Sequence, residues 1–64
     1  MKVQLNGEPT DINGSTVADA VANLSRAERG IAVAVNGEVV PRSQWTRKLH
    51  EGDRIEVLTA TQGG

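Results

Sequence analysis

Three Asn-Gly dipeptides, Asn6-Gly7, Asn13-Gly14 and Asn36-Gly37, set the strongest limit on how this chain folds. Asn and Gly tolerate the positive φ angles that a tight reversal needs, so each pair predicts a sharp turn. Before the first pair, Val3 and Leu5 alternate with Lys2 and Gln4, the period of a strand with one buried face. A second strand is expected over Glu8–Ile12, with Pro9 favouring a sheet edge because it lacks a backbone donor. Asn6, Gly7, Asn13 and Gly14 are read as turn chemistry and nothing more.

From Thr16 the period changes. Val17, Ala20, Val21 and Leu24 recur at the spacing that gathers apolar groups on one face of a helix. Thr16 is the expected N-cap, with Asp19 three residues later in the position of a capping box. Ser25–Gly30, carrying Arg26, Glu28 and Arg29, reads as a solvated loop leaving the helix at a glycine. Ile31–Val35 is an apolar run suited to a central strand, with Ile31, Val33 and Val35 toward the helix and Ala32 and Ala34 forming a smooth outer surface. Asn36-Gly37 sends Glu38, Val39 and Val40 back alongside, and Pro41 stops the pairing. Arg42–Trp45 suggests a single helical turn in which Trp45, the only aromatic residue, plugs the core. Leu49 is an apolar anchor before a turn at Glu51, Gly52 and Asp53. Arg54–Thr59 alternates again, with Ile55 and Val57 inward and Glu56 and Leu58 outward.

Hairpin, helix, central strand, short excursion and final strand describe an α+β domain: a mixed four- to five-stranded sheet with one main α-helix across one face. The first and last strands are expected to pair centrally in parallel. The domain spans 1–59, and 60–64 is a flexible tail. A chain of 64 residues has room for one small domain and little for an enclosed active site. There is no cysteine, so the core holds by packing, and any sulfur chemistry must use a group other than a side-chain thiol. A net charge of −1 offers no basic stripe for nucleic acid, and neither a signal peptide nor a membrane span is expected. A cytoplasmic location follows as the expectation. His50, the single histidine, has no second imidazole or thiolate to share a metal, so no metal site is predicted. One histidine without an enclosing pocket cannot assemble a nucleophile, a base and an orienting group, which argues against an enzyme.

The tail offers different chemistry. Gln62, Gly63 and Gly64 end the sequence on a carboxylate, and two residues without Cβ can thread a slot too narrow for side chains. Leu58, placed on the face opposite the core beside Ala32 and Ala34 and just before Ala60, is a candidate docking patch.

Val35, Asn36, Gly37, Glu38, Val39, Val40, Pro41 and Arg42, then Gln44 and Trp45, then Gly52, Asp53, Arg54 and Ile55, and finally Gly63 and Gly64, resemble the ThiS family of small sulfur carriers in order and spacing. The resemblance implies the ubiquitin-like β-grasp fold. It also implies that an ATP-dependent, ubiquitin-activating-like enzyme adenylates Gly64, that a sulfur donor such as a cysteine desulfurase converts it to a thiocarboxylate, and that thiazole synthase accepts the sulfur during thiamine biosynthesis. On this reading the chain binds no cofactor itself, ATP is used by the adenylating partner, and the carrier is a cosubstrate. Gly63 and Gln62 thread the tail, and Leu58, Ala60, Ala32 and Ala34 meet the partner. Glu56 and Thr59 make the final strand more polar than in many relatives. Molybdopterin-type carriers, which generally lack the Val40, Pro41, Arg42 and Trp45 pattern, are the alternative, as is a ubiquitin-like modifier that forms an isopeptide through Gly64.

Overall fold

The computed structural model describes residues 1–24 and 30–59. The expectations for the charged loop at 25–29, and for Ala60, Gln62, Gly63 and Gly64, lie outside the described residues. The elements are β1 (Lys2–Leu5), β2 (Glu8–Asp11), α1 (Val17–Leu24), β3 (Ile31–Val35), β4 (Glu38–Val39), a 3-10 turn at Arg42–Gln44, and β5 (Arg54–Thr59). They form one five-stranded sheet in the order β2-β1-β5-β3-β4. β5 is central, parallel to β1 through Gln4–Arg54 and Leu5–Ile55, and antiparallel to β3 from Ile31–Thr59 to Val35–Ile55. The two outer pairs are hairpins. Asn6 and Gly7 have φ of 52° and 85°, and Asn36 and Gly37 have φ of 51° and 85°, the positive values that a two-residue loop of the primed type requires. Pro9 lies on the edge strand β2, opposite Gln4.

Alternation then decides the faces. Val3, Leu5, Val33, Val35, Ile55 and Val57 are buried on one side of the sheet, where Val17, Ala20 and Val21 of α1 pack against them. Leu24, expected on the same stripe, is 46% exposed at the end of the described helix. The helix start is a reciprocal box: the Asp19 N–H donates to Thr16 Oγ1 at 3.2 Å, while Asp19 Oδ2 accepts from the Ser15 and Thr16 N–H groups and the Thr16 hydroxyl. Gly14 makes this close approach feasible. Its φ is 96°, and a Cβ there would overlap the Asp19 carboxylate. Two more first-turn donors are satisfied from a distance, Val17 N–H by the Arg47 carbonyl at 3.1 Å and Ala18 N–H by the Trp45 carbonyl at 2.9 Å.

Those carbonyls belong to the excursion between β4 and β5, pinned by buried Val40 and Leu49. Trp45 departs from the expectation of a core plug: it is half-buried and packs against the margin of the core. Its indole N–H has to find a partner, and it does so at the Val40 carbonyl, 3.2 Å away, while the Arg42 guanidinium lies 5.2 Å from the ring centroid. A ring with one polar edge and a cation over its face is better placed at a boundary than in the middle of a valine-rich core.

Two carboxylates are held below the ordinary value of 3.8 by what surrounds them. For Asp19 the causes are the Thr16 backbone N–H first, then the Ser15 N–H and the Thr16 hydroxyl. For Asp53 burial pushes the pKa up, but the His50 N–H, the Asn36 carboxamide and the charges of His50 and Arg47 outweigh it. The folded chain therefore binds these protons more weakly than the unfolded chain. The stabilisation is fully present above the unfolded value and is lost as pH falls through the folded values. Urea unfolding from about pH 6 to about pH 2.5 is expected to show stability falling on the acid side of about pH 4, with Asp19→Asn giving a lower but flatter curve. Gly14→Ala combines positive-φ strain with a broken cap, and is expected to cost about 2–3 kcal/mol, read as a melting temperature lower by about 10 °C or more.

Candidate functional site

The face of the sheet opposite α1 is the candidate site. β3 and β5 bury Val33, Val35, Ile55 and Val57 on the helix side, so the intervening Ala32, Ala34, Glu56 and Leu58 belong to the other face. Register sets their neighbours: Ala32 is opposite Leu58, and Ala34 lies between Glu56 on one side and Val39 of β4 on the other. Two alanines leave a low floor between larger side chains. Leu58 and Val39 stand above it, 69% and 73% exposed, and the result is a shallow hollow of about 80 Å³. An exposed leucine alone signifies little; two large apolar side chains flanking a shared hollow form a patch suited to docking. Glu38, next to Val39, approaches Arg47 at 3.9 Å, a solvent-exposed pair of small energetic weight.

The structure thus brings Leu58, Ala32 and Ala34 together as expected, with Ala32 exposed and Ala34 half-buried. Ala60, Gln62, Gly63 and Gly64 fall beyond the described residues. Val39 is a member that sequence reasoning missed. The signal was present in the two-residue turn: with Asn36 and Gly37 as its centre, Val35 must face Glu38 and Ala34 must face Val39, which puts Val39 on the outer face.

The turn asparagines also do more than turn the chain, which corrects the reading of Asn6 as turn chemistry alone. The Asn6 carboxamide accepts from Val57 N–H at 2.8 Å and donates to the Val57 carbonyl at 3.3 Å. Asn36 Oδ1 accepts from Arg54 N–H at 3.0 Å, and its Nδ2 donates to Asp53 Oδ1 at 3.1 Å. A carboxamide mirrors the donor and acceptor of a peptide group, so the Asn6 side chain substitutes for a missing strand residue beside β5, while the Asn36 side chain takes only the Arg54 N–H, its backbone N–H donating to the Arg54 carbonyl at 2.7 Å. The sequence cue was ambiguous because Asn suits a positive φ with or without such bonds. His50 contributes little to any site. Its side chain is 87% exposed with Nδ1 3.8 Å from Asp53 Oδ2, and among the described residues no group of three His, Asp or Glu could hold a metal.

The ThiS family model matches residues 3–64. The sulfur carrier protein ThiS of Thermus thermophilus is 36% identical over 67 residues, covering 97% of this chain and 98% of that protein. A thiazole synthase of Paramagnetospirillum magneticum is 32% identical over 66 residues, a match to 100% of this chain and 20% of that protein. Among solved structures, the crystal structure of the thiamine biosynthesis protein ThiS from Geobacter metallireducens superposes with a TM-score of 0.76 at 29% identity, covering both chains completely.

Neighbouring positions on β5 should separate packing from surface. Val57→Ala is expected to cost about 2 kcal/mol by urea unfolding, because it empties part of the core. Leu58→Ala and Val39→Ala should each stay within about 0.5 kcal/mol of the native chain.

Proposed function

The chain belongs to the ThiS family, and on that premise we propose that the carboxylate of Gly64 is the group on which it carries sulfur. As a sulfur carrier of thiamine biosynthesis, it takes its role from the family and from relatives that share its full length and fold. The observation that carries the assignment to the terminus is the extent of the match, which runs to Gly64 and so includes the whole Gln62-Gly63-Gly64 tail.

The chemistry follows from the group available. A carboxylate is a poor electrophile. Attack of the Gly64 carboxylate on the α-phosphorus of ATP, with pyrophosphate leaving, gives an acyl adenylate whose AMP is a good leaving group. Sulfide-level sulfur attacking the Gly64 carbonyl forms the C–S bond as the C–O bond to AMP breaks and gives the thiocarboxylate directly. Sulfur delivered as a persulfide gives an acyl disulfide, whose S–S bond a thiol then breaks, releasing the thiocarboxylate as a new disulfide forms. ATP and the catalytic groups belong to the carrier-adenylating enzyme, and the sulfur to a donor such as a cysteine desulfurase, so the chain acts as cosubstrate. The tethered sulfur reaches its acceptor at high effective concentration without release as free sulfide. A protein named thiazole synthase in which one-fifth of the length resembles this chain supports thiazole synthase as the acceptor.

Geometry supports a division between docking and delivery. Leu58, Val39, Ala32 and Ala34 offer an apolar face beside the end of β5, and the five residues that follow span on the order of 17 Å when extended. A partner can therefore hold the face while the tail enters its active site. A cytoplasmic location belongs to the same reading, because the adenylating enzyme draws on ATP. No helix among the described residues is long and apolar enough to cross a membrane.

Intact-mass spectrometry tests the chemistry. After incubation with the carrier-adenylating enzyme, ATP and a sulfur donor, the chain is expected to gain the mass of one sulfur in place of one oxygen, and the variant lacking Gly64 should gain nothing. No gain in the native chain, with the enzyme active on another carrier, would remove the assignment. Leu58→Asp should stay folded yet bind the adenylating enzyme about tenfold or more weakly by titration calorimetry; an unchanged affinity would exclude Leu58 from the docking face.

A further inference from the structure

The partners of β5 change along its length. β1 pairs with it only at Gln4–Arg54 and Leu5–Ile55, after which β1 enters its turn. The next backbone groups on that side of β5 are those of Val57, and both are taken by the Asn6 carboxamide, at 2.8 Å and 3.3 Å. β3 flanks the other side out to Ile31–Thr59. Beyond Ile55, then, the carboxamide of Asn6 stands in for the strand that is missing on the β1 side. We propose that Asn6 is a positioning residue for sulfur loading: by holding Val57 it aligns the end of β5, and so fixes the direction in which the tail leaves the domain toward the adenylating enzyme. This rests on the carrier reading above.

Asn36 supplies a built-in control. It makes the same kind of bond to the same strand, but at Arg54, the end remote from the tail. Both asparagines have positive φ, so replacement by glycine removes the carboxamide and keeps the turn. The pair therefore separates a general loss of strand stability from a loss of tail alignment.

The experiment compares Asn6→Gly, Asn36→Gly, Asn6→Asp and the native chain well below their melting temperatures. Adenylation of Gly64 is followed by pyrophosphate release, and exchange of individual amides is followed by NMR. Asn6→Gly is expected to lose protection at Val57 and to lower kcat about fivefold with KM nearly unchanged, since the Leu58 and Val39 face is retained. Asn6→Asp keeps an acceptor for Val57 N–H and tolerates the positive φ, so it should recover part of the rate. Asn36→Gly should lose protection at Arg54 with a native kcat. Native kcat in Asn6→Gly, or an equal fall in both glycine variants, overturns the positioning role and leaves the carrier reading standing. No pyrophosphate release from the native chain overturns the carrier reading, and the positioning role with it.

Discussion

The insertion of β5 between β1 and β3 is the interaction on which the rest of this structure depends. Without it, β1–β2 and β3–β4 are separate two-stranded ribbons, and such ribbons are marginal in water. β5 joins them through parallel pairing on one side and antiparallel pairing on the other, and it places Ile55, fully buried, in the core together with Val57. α1 then has a continuous apolar floor on which to lie. Because Leu5 must meet Ile55 across nearly the whole described chain, the central pairing is non-local, and its loop-closure entropy is met before the core can reward it.

A small domain with a valine-rich core and no disulfide has little margin for unpaired backbone groups, and this explains where its polar side chains are spent. Thr16 and Asp19 close the helix start, and carbonyls of Trp45 and Arg47 take two more first-turn donors. Asp53 accepts from His50 N–H and the Asn36 carboxamide, tying the turn before β5 to the β3–β4 hairpin. Asn6 and Asn36 complete β5 where strands end. The same contacts that stabilise the sheet thus also define where β5 begins and which way it points.

Much of this was legible from residue order. Period-2 alternation identifies the inward valines and isoleucines, Asn-Gly dipeptides identify the two hairpins, and Thr16 with Asp19 marks the helix start. Each of these is a local signal, in which a residue's own backbone preference or its near neighbours determine the outcome. What was not legible depends on partners distant in sequence. Trp45 reads as a core residue by size alone, and only the Val40 carbonyl and the nearby Arg42 explain its place at the margin. Asn6 reads as a turn residue, and its bonds to Val57 emerge only once β5 lies beside it. Val39 falls between these cases: its face follows from counting register across a two-residue turn, a step that joins a local signal to a pairing.

On the proposed reading the outer face docks and the residues after β5 deliver, and these two roles make different physical demands on the fold. Docking requires surface that is apolar yet tolerable to water in the free carrier; Ala32 and Ala34 keep the floor of the patch low, Leu58 and Val39 stand above it, and exposed Glu56 gives it one charged margin. Delivery requires a terminus narrow enough to enter an active site and anchored firmly enough to arrive in one orientation. Glycines at 63 and 64 meet the first of these needs but bring conformational entropy with them. That entropy is best offset by making the strand immediately upstream as constrained as the fold permits, and the central strand of the sheet is the most constrained element available. A carrier with its reactive group on an edge strand or a surface loop would have to be ordered by its partner at each encounter. Here the ordering extends through Val57, held by Asn6, before the tail begins.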